Sequence, residues 1–336
     1  MVDHSGEFVA RRERLALRAI IGSRPGEAGN PSNNSATMTD LDLGNYVGIR
    51  VGATVWVSAT PVSSGATGAT ALGATLALRA RKPDEVSCIN ILDSTAPGIT
   101  ARRASYFSIP LNVYRPDGIE RVAPQSHAPR ESARADHLVL ADLFRRVGAD
   151  VVIEHGVVTA EVNGLEVARV IDEDGSPTVR IGVGTHDREM FKMLNGAAAT
   201  VDQLRSVVDA VRQHRRADAP NHPLNLLAPE RALRARVIDD PRLVGVRSLE
   251  PAEPPTPRAN VKDSVPCCAI GEDADGIVVA VFVAGVDLDA VPIAADARSR
   301  LAPDARLLIV AAARNVVPLQ VGIASMLTKP AEFVSA

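Results

Sequence analysis

The sequence predicts a mixed α/β protein, in which a small parallel-sheet βαβ domain is followed by an antiparallel meander with helices and a C-terminal α/β unit. Two observations predict this class. Short apolar runs typical of strands alternate with Ala/Leu-rich or amphipathic runs typical of helices, which favours βαβ units. An Asn-Gly pair also joins two strand-like runs in the middle of the chain, which favours an antiparallel hairpin.

Composition limits the class of protein further. The chain has 336 residues, a formal net charge of −3 and 46% hydrophobic residues, which suits a globular protein of two or three domains. The longest apolar run, Val278–Val286, is about half the length of a membrane helix, so no membrane partner is expected. Three cysteines are too few for a disulfide framework, and we therefore expect a cytoplasmic location.

The chain divides by composition into a tail, a small domain and a larger body. Residues 1–40 are predicted to form a flexible N-terminal tail, because residues 24–35 are rich in Pro, Gly, Asn and Ser. Residues 41–121 are predicted to form a Rossmann-like βαβ domain, and residues 132–336 an α+β and α/β body. A Pro-rich connector near 250–257 interrupts this body, since four prolines in eight residues favour an extended chain.

A glycine-containing loop opens the first crossover helix of the small domain. Gly65 and Gly68 lie in this loop, and a turn between strand and helix is where backbone N–H groups and the helix dipole bind phosphate. The spacing departs from the dinucleotide fingerprint, and no Lys-Ser/Thr pair follows to make a P-loop. Gly65 and Gly68 are therefore candidate cofactor-binding residues, beside the simpler interpretation that glycine permits a tight bend.

The clearest local pattern of the middle block is the hairpin turn Asn163-Gly164. A two-residue type I′ turn there pairs Val162 with Leu165 and places Glu161 opposite Glu166 on one face of the sheet. Like charges opposed across a hairpin are destabilising, so the pair needs a divalent metal, an arginine or unequal pKa values. The alternative is a solvated hairpin end, where repulsion is screened. Glu161 and Glu166 are the candidate catalytic residues.

The predicted order of this block, a helix and then three strands, resembles the opening of the restriction-endonuclease-like fold of the PD-(D/E)xK family. The resemblance implies phosphodiester cleavage with Mg²⁺ or Mn²⁺ as cofactor, held by acidic residues on neighbouring strands. The segments Glu161-Val162-Asn163 and Glu166-Val167-Ala168-Arg169 supply the acids but lack the lysine of the Glu-x-Lys motif. The resemblance covers only this block.

An excess of positive charge lies between the middle and C-terminal blocks. Residues 212–258 hold nine arginines and six acids, and arginine binds phosphate and carboxylate in a planar, bidentate geometry. This Arg-rich joint would bind a nucleic acid or a nucleotide, unless salt bridges to neighbouring acids absorb its charge. The candidate anion-binding residues are Arg215, Arg216, His222, Arg231 and Arg234.

The C-terminal block completes the predicted fold. A hairpin is expected over residues 265–284, followed by a helix to about Leu301 and alternating strand, helix and strand to the end of the chain. No nucleophile-elbow, HExxH, CxxC, Walker or kinase motif is present. The sequence therefore favours a non-catalytic binding or regulatory protein, with a protein partner as one alternative. A metal-dependent phosphodiesterase or nuclease and a nucleotide-responsive protein are the other hypotheses.

Overall fold

The computed structural model describes residues 4–23, 37–63, 69–117, 120–195, 200–216, 222–258 and 263–336. These residues form helices and three β-sheets with both parallel and antiparallel strand pairs, which confirms the α/β class. Two units are distinguished: unit 1 is Met1–His127, Val286–Asp296 and Val316–Glu332, and unit 2 is Ala128–Gly285, Ala297–Asn315 and Phe333–Ala336. Within the described ranges, no helix combines the length and apolar character that crossing a membrane requires.

Unit 1 is built on a five-stranded sheet whose strands lie in chain order. Its first elements are α1 His4–Ser23, β1 Met38–Asp42, β2 Val47–Val51, β3 Thr54–Ser58, α2 Ala71–Arg81, β4 Cys88–Leu92, α3 Pro97–Ala104 and β5 Leu111–Tyr114. β1, β2 and β3 pair antiparallel, whereas β3, β4 and β5 pair parallel through the crossover helices α2 and α3. Dinucleotides bind open α/β sheets where the strand order reverses, and these five strands have no reversal. The term Rossmann-like therefore stays a prediction.

Helix α1 packs on this sheet, where the sequence analysis predicts a flexible tail. Leu17 and Ile21 are fully buried in one cluster with Val47, Ile49 and Trp56. Apolar residues four positions apart lie on one helix face, and this face packs against the sheet. The Pro- and Gly-rich stretch on which the prediction depended, residues 24–35, lies outside the described residues.

Unit 2 begins with an antiparallel meander covered by helices. Its elements are α4 Ala135–Arg146, β6 Asp150–Glu154, β7 Val157–Val162, β8 Leu165–Glu173, β9 Ser176–Ile181, α5 Gly184–Asn195, α6 Val201–His214 and α7 Pro229–Asp239. The strands β6 to β9 pair in chain order, and their apolar faces pack with Phe144 and Leu204 from α4 and α6. The sheet therefore has one face covered by helices.

The turn between β7 and β8 has the predicted register. Asn163 and Gly164 have φ values of 46° and 74°, as a type I′ turn requires. Val162 pairs with Leu165, and Glu161 pairs with Glu166. The register shifts directly beyond Glu161, because β8 contains one extra residue at that point.

The second five-stranded sheet repeats the strand pattern of the first. Its elements are β10 Ser248–Ala252, β11 Cys267–Glu272, β12 Ile277–Phe282, α8 Ala290–Leu301, β13 Arg306–Ala311, α9 Pro318–Ala324 and β14 Glu332–Ser335. β10 to β12 pair antiparallel and β12 with β13 parallel, again in chain order. Part of the predicted Pro-rich connector is strand β10, which tolerates Pro251 because it lies at the sheet edge.

The segments that follow α3 and α9 pair with each other inside unit 1. The Ser108 amide donates to the Met326 carbonyl at 2.8 Å, and the Thr328 amide donates to the Tyr106 carbonyl at 2.9 Å. An isolated antiparallel bridge joins Phe107 and Leu327 between these two bonds. Segments 105–110 and 325–330 therefore meet in one short antiparallel pairing.

Candidate anion-binding cavity

Glu161 lies in a buried cluster of four charges, which we call the Glu–Arg square: Glu154, Glu161, Arg231 and Arg234. Arg231 and Arg234 lie three residues apart on α7, so their side chains share a helix face. Arg234 donates to Glu154 at 2.7 Å and to Glu161 at 3.0 Å. Arg231 donates to the same two carboxylates. Each arginine therefore bridges both glutamates, and the four formal charges cancel.

The Glu–Arg square keeps Glu161 ionised. Glu161 is 3% exposed and Arg234 1% exposed. Burial alone would raise the pKa of the Glu161 carboxyl, but the positive charges of Arg231 and Arg234 outweigh burial and hold that pKa below its ordinary value. Glu161 thus carries a negative charge at neutral pH with both oxygens engaged by arginine.

Glu166 has its own arginine partners, which differ from those of Glu161. Arg169 donates to both Glu166 oxygens, from Nε at 2.6 Å and from Nη2 at 2.8 Å, in a bidentate pair. Arg188, from α5, donates to the same carboxylate at 3.0 Å. Of the arrangements that tolerate opposed carboxylates, arginine pairing is the one present. A catalytic role for Glu161 and Glu166 stays a prediction.

A polar cavity of about 160 Å³ lies beside Glu166 within unit 2. This volume corresponds to on the order of five water molecules, or to one small polyatomic ion with a short substituent. Arginines from β8, α5, α7 and the segment after β10 line it. The lining residues are Glu154, His155, Val157, Thr159, Glu166, Arg169, Gly184, Thr185, Arg188, Arg231, Pro257 and Arg258.

Positive charge exceeds negative charge around this cavity. The Glu–Arg square is neutral, and Glu166 offsets only one of Arg169 and Arg188. Arg258 adds a further positive charge, and its Nη1 atom is buried without a hydrogen-bond partner among the described residues. The Nε2 atom of His155, on the same cavity wall, is also buried without a partner in the described ranges.

The pKa values of two cavity arginines are lowered. Burial lowers the pKa of Arg188, and burial followed by the positive charge of Arg231 lowers the pKa of Arg258. The N-terminus of α5, a helix of 12 residues, borders the cavity at Gly184 and Thr185 and contributes a positive dipole end. An anion in the cavity would stabilise the charged forms of Arg188 and Arg258 and interact favourably with the N-terminus of α5.

The remaining predicted anion-binding residues lie elsewhere in unit 2. Arg215 is buried, and its guanidinium donates to the carbonyl oxygens of Asn163, Leu224, Leu227 and Ala228 at 2.7–3.0 Å. Burial lowers the pKa of Arg215 to about 10. Its contacts hold the hairpin turn against the chain that precedes α7, so Arg215 has a structural role.

Two further members of that predicted set lie near Arg215. Arg215 and Arg216 line a second, wider groove with Arg236. His222 accepts from the Leu224 amide at 3.3 Å and stacks on His214 with ring centroids 4.0 Å apart. Of the predicted set, Arg231 lines the cavity, and Arg234 contacts Glu154 and Glu161 within the Glu–Arg square. Nucleic-acid or nucleotide binding by the whole set stays a prediction.

Two predictions concern cofactors: a nucleotide at the Gly65 and Gly68 loop, and Mg²⁺ or Mn²⁺ at Glu161 and Glu166. Gly65 and Gly68 lie outside the described residues, so the nucleotide hypothesis for their loop stays a prediction. In the described part of the chain, no group of three or more His, Cys, Asp or Glu side chains is arranged to hold a metal ion. The oxygens of Glu161 and Glu166 accept hydrogen bonds from arginines, whose charge repels a cation, so these residues do not fit Mg²⁺ or Mn²⁺.

The residues that complete the cavity were not predicted as anion ligands. Arg169 was named only as the end of a segment that lacks the lysine of Glu-x-Lys, and Arg188, His155 and Arg258 carry no local motif. A scan of protein-family models, a search of curated proteins and a search of solved structures each gave no match to this chain. A function is therefore inferred from the chemistry of the cavity.

Proposed function

We propose that this chain is a non-catalytic binding protein, and that the cavity beside Glu166 binds a small anion. The observation that carries the proposal is the side chain of Arg258, which lines a cavity with excess arginine and whose Nη1 atom is buried with no partner in the described residues. A buried unsatisfied donor costs about 1–3 kcal/mol, and more when it is charged. An anionic oxygen beside Arg258 would remove that cost.

Binding is favoured over turnover because the two carboxylates and the Thr159 hydroxyl that line the cavity are already engaged in hydrogen bonds. The carboxylates of Glu154 and Glu166 are held by arginines. The Thr159 hydroxyl donates to the Val152 carbonyl at 3.0 Å. A general base must be able to accept the proton of its substrate, and these groups are already occupied.

A cytoplasmic location belongs to the same proposal. None of the three cysteines forms a disulfide bond, and Cys267 and Cys268 are buried. Burial raises the pKa of the Cys267 thiol to about 12, so this thiol is neutral and unreactive at neutral pH. Free, unreactive thiols are typical of proteins in a reducing compartment.

The direct experiment is a sulfate titration of the full chain at constant ionic strength, followed by isothermal titration calorimetry and by the melting temperature. We expect saturable binding and a rise in the melting temperature with sulfate concentration, since a ligand of the folded state stabilises it. Arg258→Gln should weaken binding about tenfold or more, which corresponds to one charged hydrogen bond.

The matched control is Arg205→Gln, the same substitution on an exposed residue of unit 2. Arg205 is 51% exposed and forms an ion pair with Asp202 in the same helix turn. This variant should bind sulfate like the original chain. Equal sulfate affinity in Arg258→Gln and the original chain would show that the cavity is not the binding site.

A further inference from the structure

We infer that the anion is doubly charged and belongs to the class of small phosphate monoesters; this inference rests on the proposed function. The first support is the charge count at the cavity. The Glu–Arg square contributes no net charge, the Glu166 group contributes one positive charge, and Arg258 contributes another. A dianion neutralises these two positive charges, whereas a monoanion leaves one buried charge without a partner.

The second support is the arrangement of donors. Arg169, Arg188, Arg231 and Arg258 reach the cavity from four separate segments of unit 2, and the N-terminus of α5 borders it as well. Donors that converge from several directions suit the three terminal oxygens of a phosphoryl group better than the two coplanar oxygens of one carboxylate. Arginine and helix N-termini both recur at phosphate sites for this reason.

The third support is the remaining part of the cavity wall. Val157 and Pro257 add apolar surface beside the charged groups. The volume of about 160 Å³ leaves room beside a phosphoryl group for a short organic substituent. The ligand class that suits charge, donors and wall is therefore a phosphate ester of a small alcohol.

The test compares ligands of equal shape and different charge on the full chain. Methyl phosphate, sulfate and the monoanion methyl sulfate are titrated by calorimetry at pH 7.5 and pH 5.0 at constant ionic strength. The second ionisation of a phosphate monoester has a pKa of about 6, so only about a tenth is dianionic at pH 5.0. Methyl phosphate should therefore bind about tenfold more weakly at pH 5.0 than at pH 7.5.

Sulfate separates the ionisation of the ligand from that of the protein. The ionisable residues Glu154, His155 and Glu166 face the cavity for either ligand, and sulfate stays doubly charged at both pH values. The pH dependence of methyl phosphate relative to sulfate therefore reports the charge of the ligand. The affinity for methyl sulfate should be at least about tenfold lower than that for sulfate at both pH values.

Two variants test whether the excess positive charge of the cavity sets the preference for a dianion. Arg258→Gln leaves one excess positive charge, so the preference for sulfate over methyl sulfate should shrink while it is unchanged in Arg205→Gln. Arg188→Gln removes the same formal charge from another element and should give the same result, which provides an independent variant if Arg258→Gln does not fold.

The outcomes separate this inference from the proposed function. Methyl sulfate binding as tightly as sulfate would overturn the dianion inference and leave an anion site standing. Malonate, a dianion with two planar carboxylates, binding more tightly than methyl phosphate would overturn the phosphate assignment alone. Saturable binding of none of the four ligands would overturn the proposed function as well.

Discussion

The substitution Glu161→Gln isolates the contribution of the Glu–Arg square to stability. It removes one charge, keeps the side-chain volume, and leaves Arg231 and Arg234 with Glu154 as their remaining carboxylate partner. Glu161 is 3% exposed and the two arginines are 7% and 1% exposed, so water cannot replace the lost partner. Removing one member of such a buried pair costs about 3–5 kcal/mol.

The same magnitude follows from the hydrogen bonds. Glu161 accepts from both arginines, and a hydrogen bond to a charged group contributes about 1.5–3 kcal/mol. Urea unfolding followed by far-UV circular dichroism should therefore show a free energy of unfolding lower by about 3–5 kcal/mol, at an unchanged dependence on urea concentration. A loss below about 1 kcal/mol would refute the argument, because it is the size expected of an exposed pair.

The control for this substitution is Asp142→Asn on the surface of unit 2. Asp142 is 73% exposed and pairs with Arg145 in the same helix turn. Exposed pairs of this kind contribute about 0.5 kcal/mol or less, so the control should unfold like the original chain.

The pH dependence of the free energy of unfolding tests the role of Glu161 independently. The pKa of Glu161 is lowered in the folded state, so its stabilising contribution is present above its unfolded pKa, about 4.3. The contribution is lost as pH falls through the folded-state value. The free energy of unfolding of the original chain should fall more steeply below about pH 4.3 than that of Glu161→Gln, and parallel curves would contradict this assignment.

Three further substitutions test the fold and the cavity. Leu17→Ala should lower the stability of unit 1 by about 2–5 kcal/mol in urea unfolding, because this side chain is fully buried; an unchanged midpoint would mean that α1 is not docked. Gly164→Ala should be more destabilising than Gly175→Ala in the same assay, since both glycines have positive φ but only at Gly164 would a Cβ lie 2.1 Å from the Arg231 carbonyl oxygen. Equal losses would refute that close approach. Glu166→Gln should bind sulfate more tightly in calorimetry, because its arginine partners become available to the ligand; weaker binding would show that the carboxylate is needed to orient them.

The hairpin register could be predicted because its cause is local. Asn163 and Gly164 adopt the positive φ values of a type I′ turn, and this turn alone sets Glu161 opposite Glu166. The sequence also indicated that arginine was one way to tolerate the opposed acids. It could not single out one arginine among Arg215, Arg231 and Arg234, since Glu161 and Arg231 are 70 residues apart and meet only through tertiary packing.

The cavity and the strand repeat lack comparable local causes. The cavity needs β8, α5, α7 and the segment after β10 to meet, and no spacing rule links Arg169, Arg188 and Arg258 along the chain. The repeated strand pattern leaves little trace in sequence: segments 105–110 and 325–330 share only their first and last residues, serine and proline. Many different apolar residues can fill the core of the same strand arrangement, so the arrangement can recur without a detectable sequence repeat.

The central claim is that the Arg258 side chain and its neighbours bind a doubly charged oxyanion, and anomalous diffraction with selenate tests it most directly. Selenate is a tetrahedral dianion whose selenium gives an anomalous signal that locates it without reference to the protein density. The account predicts a selenium peak in the cavity, with an oxygen within hydrogen-bond distance of Arg258 Nη1, and no such peak in Arg258→Gln crystals. A peak found only elsewhere on the protein, or an unchanged peak in the variant, would contradict the account.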